Sequence, residues 1–596
     1  MLMKLSDYVM QYIAAQGVRD VFTLPGGGCM HLTDSLGHTP ELNHVCMLHE
    51  QAAAIAADAY AQYRGGLGVC LVTTGPGGTN AITGVCASWI DSTPVLVISG
   101  QVKRADLMTG RGVRQMGNQE VDIVSIVKPV TKYAVTISEP NSIRYHLEKS
   151  VQAALTGRQG PVWLDIPLDV QAAVIDEDSL EGFSPDAVLR TDALAKAADA
   201  TVDFLKQAKC PALLAGCGIR KAGGEAELKA LIDLLQIPVL TTWRAADLIP
   251  DDHPCFAGRP GSIAQRGANY TQQQADLLLI IGARLDLPQT AYNHRQFAPK
   301  AKKIIVDIDA NEIGKLDMPF SLSIEADAKE YICALHAKLQ EHHWQKSNPN
   351  QFDQQNWLNQ TLAWKKQYPV VLPEYWASQE QGVNTYCLID RLSEIMDEGD
   401  ILVPGSSGAC ADITMQAFRF KSGQRVLNCP GLGAMGFDLP MALGAAIASN
   451  GKRVVCIAGD GGIQLNVQEL ATMKRLNLPI KLFILNNQGY GSIRNTQRNY
   501  FDGRYVCSNE ESGLHLPDMI KVAAGYGITS YRLHGNAEMR SETTKILNEP
   551  GPCIVDVVTP PDLPTAPRVM SRQKSGGGME TTGMEDLWPE IDENLQ

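Results

Sequence analysis

Two short apolar runs, each stopped by small or oxygen-bearing residues, constrain this chain more than any other feature. Val454-Val455-Cys456-Ile457-Ala458 leads into Gly459-Asp460-Gly461-Gly462, and Lys481-Leu482-Phe483-Ile484-Leu485 leads into Asn486-Asn487-Gln488-Gly489. Runs of this length and apolarity suit strands buried on both faces, as in parallel sheets. The segment Val467–Leu476 between them has helical character and is long enough for one right-handed crossover. Asp460 and Asn487 are therefore expected side by side at the carboxyl ends of neighbouring strands, where open parallel sheets collect ligands. Oxygen donors of this kind suit a hard cation. The Asp460 carboxylate, the Asn487 amide oxygen and the Gly489 carbonyl supply three ligands to Mg2+, which commonly completes its shell with phosphate oxygens and water. One Asn in place of a second carboxylate limits repulsion against an anionic diphosphate. Gly461 and Gly462 leave that diphosphate room near backbone N–H groups.

Two further segments carry chemistry. His49-Glu50-Gln51 opens an alanine-rich helix, Ala52-Ala53-Ala54-Ile55-Ala56-Ala57-Asp58-Ala59-Tyr60, whose composition predicts a buried start for Glu50. A zinc-protease helix is excluded, because its second histidine would fall at Ala53. Gly431-Leu432-Gly433-Ala434-Met435-Gly436-Phe437-Asp438-Leu439-Pro440 precedes the first apolar run. Singly, these read as a surface glutamate near a helix dipole, a glycine-rich turn and a core methionine. Together with Gly-Asp-Gly and Asn-Asn at this interval, they resemble the signature of thiamin-diphosphate enzymes. That resemblance implies that Glu50 hydrogen-bonds the pyrimidine N1′ of the cofactor. It further implies that the Gly433 carbonyl accepts from the 4′-amino group, that Met435 wedges the two rings into a V, and that Gly459 and Tyr490 belong to the cofactor-binding residues.

A length of 596 residues suits about three domains. The 44% hydrophobic and 20% charged content is that of a soluble globular protein. A balance of 52 basic to 65 acidic residues, net −13, argues against a nucleic-acid surface. Fourteen cysteines occur without a Cys-x-x-Cys pair, which suggests neither a zinc ribbon nor a disulfide framework and fits a reducing cytoplasm. No signal peptide or apolar run of about 18 residues is present, so no membrane attachment is expected.

Alternating helical and apolar segments predict an α/β fold of three doubly wound parallel-sheet domains. The expected organisation is a first domain over 1–180, a central domain over 192–340 and a Gln- and Asn-rich linker over 342–381. A third domain over 382–565 and a polar, Gly-rich tail over 566–596, read as a mobile cover, complete it. The resemblance extends over nearly the whole chain, as pyrimidine-binding, central and diphosphate-binding domains, and is nearest to the acetohydroxyacid (acetolactate) synthase-like branch. Thr74-Gly75-Pro76-Gly77-Gly78-Thr79-Asn80, Asp165-Ile166-Pro167 and Val306-Asp307-Ile308-Asp309 support that placement. Members of the branch commonly hold FAD in the central domain. Arg158, Gly216, Gly218, Arg220, Thr241, Gly282, Arg284, Asp307, Ile308 and Asp327 resemble its contacts, and the flavin is expected to be structural. Active sites between subunits imply a homodimer or homotetramer.

The activity implied is a carboligase that decarboxylates pyruvate or a similar 2-keto acid and transfers the two-carbon acyl carbanion to a carbonyl acceptor. Gly26, Gly27 and Gly28 match the glycine loop beside the reacting carbon, and Gln119 resembles the branch's active-site glutamine. The His-His pair by which simple decarboxylases protonate the carbanion is absent from that stretch; His342-His343 lies in the linker. Acetolactate synthase and a pyruvate-oxidase-like flavoenzyme are the alternatives. In acetolactate synthases Asp-Ile-Pro continues with lysine, and the loop after Asn-Asn carries a tryptophan. Here Leu168 takes the first position, and Gln488 to Tyr505 contain Tyr490, Arg494, Arg498 and Arg504 but no tryptophan. Such a loop suggests a larger acceptor with a phosphate for arginine to grip, such as a keto-sugar nucleotide.

Overall fold

The computed structural model describes residues 1–185, 193–378, 381–405, 408–573 and 577–591. Residues 186–192, between the first and central domains, and Ser575 and Gly576 of the tail lie outside the described residues. Three six-stranded sheets, parallel throughout, organise the chain. The first comprises β1 (Asp20–Thr23), β2 (Asn43–Cys46), β3 (Gly68–Val72), β4 (Val95–Gln101), β5 (Tyr133–Thr136) and β6 (Val162–Pro167), in the order β2-β1-β3-β4-β6-β5. The second comprises β7 (Pro211–Ala215), β8 (Val239–Thr241), β9 (Phe256–Gly258), β10 (Leu277–Ile281), β11 (Lys302–Asp307) and β12 (Leu322–Glu325), in the order β9-β8-β7-β10-β11-β12. The third comprises β13 (Ile401–Pro404), β14 (Arg425–Val426), β15 (Val454–Gly459), β16 (Ile480–Asn486), β17 (Thr529–Leu533) and β18 (Cys553–Val558), in the order β14-β13-β15-β16-β18-β17. The outer two sheets share one topology. The middle sheet has the strand order of dinucleotide-binding folds, with its switch point between β7 and β10.

The crossover expected between the two apolar runs is present but kinked. A 3-10 turn over Ile463–Glu469, with Asn466 outside helical geometry, precedes the helix Leu470–Arg475. The Asn466 Nδ2 donates instead to the Gly436 carbonyl and to the side chain of Gln51.

Small residues let the first and third domains approach. Helix α1 (Glu50–Arg64) is flanked by α2 (Pro76–Ile90) and by α3 (Asp438–Ala448). A Cβ on Gly84 would stand 2.6 Å from that of Ala54, and one on Gly444 would stand 2.2 Å from the Ala56 carbonyl oxygen. The alanine run of α1 thus buries both faces, which explains how a helix of such modest side chains belongs to the core.

The segment read as a linker is largely helical, with Gln351–Gln367 as its longest element. Gln354, Trp357, Leu358 and Thr361 are buried at i, i+3, i+4 and i+7, and the Trp357 indole donates to the Pro211 carbonyl at 3.0 Å. Sparse apolar residues at helical spacing, hidden by a polar average, dock this segment on the central domain. The described tail is also docked, where a mobile cover was expected. Met584 and Leu587 are buried, Val569 N–H donates to the Ser262 carbonyl, and Asn269 Nδ2 donates to that of Met584. The Gly-rich composition concealed these two apolar anchors.

Candidate active site

The segments singled out for the thiamin site follow the carboxyl ends of strands. At the first sheet, β1 runs into Gly26–Gly28, β2 into His49-Glu50, β3 into Thr73–Gly75 and β4 into the loop that ends at Gln119. The Gly28 N–H donates to the Thr73 hydroxyl at 3.1 Å. A Cβ at Gly28 would lie 1.8 Å from the Thr74 hydroxyl oxygen, whereas one at Gly27 meets nothing within 4 Å. The loop is therefore pressed on its inner side and open at Gly27. Gln119 has φ +64, and its carbonyl would stand 2.1 Å from a Cβ on Gly75.

Glu50 is buried, 7% exposed, at the first turn of α1. Its Oε2 accepts from Asn80 Nδ2 at 3.0 Å, and no ion pair involves it among the described residues. Just before it, the Leu48 N–H donates to the Glu469 carboxylate at 2.9 Å, and His49 Nδ1 caps the helix by accepting from Gln51 N–H. Asn80 and Glu469 were not assigned a role from sequence. Asn80 lies inside a quoted motif, but its partner is fixed only by the packing of α2 on α1.

The third sheet supplies the other half. Asp460, 6% exposed, follows β15 and accepts from the N–H groups of Gly461 (2.8 Å) and Gly489 (3.0 Å). Burial pushes its carboxyl up to about 6. Asn487 follows β16, and its side-chain oxygen is buried without a hydrogen-bond partner. An orphaned amide oxygen near a buried carboxylate that forms no ion pair among the described residues is what an oxygen-ligated metal site requires of the protein. Gly489 has φ +136, and a Cβ there would collide with the Ser508 carbonyl oxygen at 2.4 Å. The Tyr490 ring lies over Gly461, where a Cβ would be 2.3 Å from it, while a Cβ on Gly459 or Gly462 would make only ordinary contacts of 3.5 Å or longer. Gly433 has φ +62, and Met435 beyond it is 40% exposed.

Arg494 departs from the expectation that it grips a substrate phosphate. It is 5% exposed and donates to the carbonyls of Asn487 (2.9 Å), Gln488 (3.1 Å) and Pro561 (2.8 Å). It braces the loop carrying Asn487. Arg498 pairs with exposed Asp562 at 2.8 Å, and Arg504 is exposed.

At the switch point of the middle sheet lies a cavity of about 720 Å³. Arg158, Gly218, Gly282, Arg284, Asp307, Ile308 and Asp327 line it. Gly216, Arg220 and Thr241 do not. Gly216 is pressed against Gly282, Arg220 pairs with buried Asp247 at 2.6 Å, and Thr241 is fully buried with an unpartnered hydroxyl. Arg158 and Arg284 both donate to the Ile90 carbonyl, and Arg158 also pairs with Asp309 and Glu312. Arg244 and Lys221, unassigned from sequence, add positive charge to the wall. Burial and the neighbouring Arg244 pull the Lys221 amine down to about 8.

Nothing joins Glu50 to Asp460, Asn487 or Met435 by a hydrogen bond or ion pair among the described residues. Both half-sites are instead bordered by exposed apolar side chains: Met30, Leu48, Val113 and Met116 on the first domain, Leu465, Ile493, Tyr500 and Phe501 on the third.

Family models assign the three units independently. Residues 3–126 match the thiamine pyrophosphate enzyme N-terminal TPP binding domain, 198–335 the central domain, and 406–557 the C-terminal TPP binding domain. The chain belongs to the thiamine pyrophosphate enzymes. Within them it is of the acetolactate synthase-like type. It is 33% identical over 549 residues to the acetolactate synthase large subunit of Cyanidium caldarium, covering 91% of this chain and 90% of that one. It is 32% identical to a probable acetolactate synthase large subunit of Methanocaldococcus jannaschii, covering 95% and 94%. Identity to the acetolactate synthase isozyme 1 large subunit of Escherichia coli strain K12 is 29%, covering 93% of each.

Proposed function

We propose that this protein is a carboligase that decarboxylates pyruvate, or a similar 2-keto acid, and joins the remaining two-carbon unit to a carbonyl acceptor. One observation carries the reading: a buried carboxyl at Glu50, held by Asn80, and Asp460 beside an orphaned Asn487 oxygen, each at the carboxyl edge of its sheet. When bound, thiamin diphosphate supplies the electron sink for decarboxylation. Glu50 would hydrogen-bond the pyrimidine, the Gly433 carbonyl and Met435 would contact the two rings, and Asp460, Asn487 and Gly489 would hold Mg2+ and with it the diphosphate. Gly27, Gly28 and Gln119 would border the reacting carbon. The exposed apolar borders of the two half-sites support a homodimer or homotetramer in which each edge is completed by a second chain. Fourteen free cysteines suit a cytoplasmic setting.

The middle-sheet cavity is read as an FAD site, supported by its dinucleotide-type strand order and size. Arg158, Arg284, Gly218, Gly282, Asp307, Ile308 and Asp327 are the residues for it. The flavin serves structure, and its stoichiometric reduction during productive turnover would overturn that role.

His342 is occupied by Asp199 at 3.3 Å on the central domain, which supports ligation over simple protonation. The acceptor is read as a ketone larger than a 2-keto acid, such as a keto-sugar nucleotide, because Leu168 stands where the synthases have lysine. Arg498 and Arg504, with Arg494 withdrawn, are the arginines left to meet a phosphate. Acetolactate synthesis is the second reading, favoured by the relatives. Under saturating pyruvate, adding the true acceptor should accelerate pyruvate consumption; equal rates with every ketone and sugar tested would contradict the specialised acceptor.

A further inference from the structure

The loop between β4 and Gln119 is exposed along most of its length. Apart from a 3-10 turn at Arg104–Asp106, it contains no helix or strand. Such a loop is expected to sample many conformations. One side chain opposes this. Glu120 is 3% exposed, and its carboxylate accepts from the N–H groups of Met108 (2.5 Å), Met116 (2.9 Å) and Gly117 (3.0 Å). No cation pairs with it among the described residues, so its charge is met by backbone dipoles alone. The two ends of the loop are closed on each other as well. A Cβ on Gly117 would stand 2.7 Å from Val102, Gln115 Nε2 donates to the Glu120 carbonyl, and Gln101 Nε2 donates to the Val121 carbonyl. Gln119, at φ +64, sits between this clasp and Gly75.

We propose that Glu120 is a positioning residue: its carboxylate gathers three backbone N–H groups into a clasp that holds residues 108–119 as one preformed loop and fixes Gln119 in its left-handed conformation. The proposal rests on the reading of Gln119 as an active-site residue only for its effect on product partition; the clasp itself stands on the geometry. Gln at 120 keeps the shape but replaces one accepting oxygen by an NH2 group, which faces an N–H donor. Asp is one methylene short of reaching all three donors.

The test uses the full chain with thiamin diphosphate and Mg2+. Arg111 and Arg114 lie inside the loop and report its order as trypsin sites. In Glu120→Gln, cleavage there should accelerate about tenfold or more, the scale expected when hydrogen bonds to a charged group are lost. The fraction of decarboxylated substrate released as free aldehyde should rise, with cofactor half-saturation within twofold of wild type. Glu120→Asp should restore part of both. In the unmodified protein, hydrogen exchange provides an independent check that needs no variant: the Met108, Met116 and Gly117 amides should be protected while those of Gly110 and Gly112 exchange freely. Unprotected amides at those three positions, or unchanged cleavage in a folded Glu120→Gln, overturn the clasp. Gln119→Ala separates the two claims. If it leaves product partition unchanged while Glu120→Gln still opens the loop, the Gln119 role falls and the clasp stands.

Discussion

Asn80 Nδ2 donates to Oε2 of Glu50 at 3.0 Å, so one carboxyl oxygen is held by the protein and the other is left for a ligand. Glu50→Gln should keep the fold and diphosphate binding but lose about a hundredfold or more in turnover, the usual scale for removing one general acid or base. Asn80→Ala, which frees the carboxyl without deleting it, should lower kcat less. Steady-state kinetics on both variants, with cofactor binding measured by titration, check this ordering. Near-normal turnover in Glu50→Gln would defeat the assignment.

Asp460→Ala should abolish retention of both Mg2+ and diphosphate, because the metal links the protein to the phosphates. Gel filtration followed by metal and thiamin analysis reads this directly. Tight cofactor retention by the wild type in excess chelator would contradict the site.

Arg494 satisfies three carbonyls at once, two of them at Asn487 and Gln488 in the loop proposed to hold Mg2+. Arg494→Met should leave those carbonyls unpaired, lower Tm and raise the Mg2+ concentration needed for half-activation, on the order of tenfold. Arg494→Lys, with fewer donors and no planar fork, should recover only part. A Mg2+ requirement unchanged in a folded Arg494→Met would assign the arginine to stability alone.

Asp165 lies buried within β6 and accepts from Ser99, Gln101 and Thr136. Burial pushes its carboxyl up to about 7. Because the folded value exceeds the unfolded one, its contribution to stability is fully present below about pH 4 and is lost as pH rises through about 7. Asp165→Asn, which mimics the protonated acid, should show less loss of urea resistance than wild type across that interval. Parallel profiles for the two proteins would remove Asp165 from the pH dependence.

The chain order of strands and the two chemical edges are legible in the residues, since apolar runs ending in Asp460, Asn487 or Gly216 leave few parallel arrangements. What escaped were relationships set by packing between distant segments. Asn80 reaches Glu50 only because Gly84 lets α2 close on Ala54, and Glu120 becomes a clasp only when the chain folds back from Met108. Arg494 looks like a solvated loop arginine until the turn after β18 brings in the Pro561 carbonyl. The docked helix Gln351–Gln367 was masked by its own polarity, because four buried positions in seventeen hardly move an average.

Carbon–carbon bond formation on a carbonyl acceptor is the central claim, and product mass tests it most directly. The purified protein, supplied with thiamin diphosphate, Mg2+ and 13C-labelled pyruvate, is incubated with a panel of keto acids, aldehydes, ketones and keto-sugar nucleotides. Release of labelled CO2 together with an acceptor enlarged by two labelled carbons, at higher kcat/KM for a ketone or sugar than for a second pyruvate, is the predicted result. Labelled acetaldehyde or acetate as the sole product with every acceptor would contradict it.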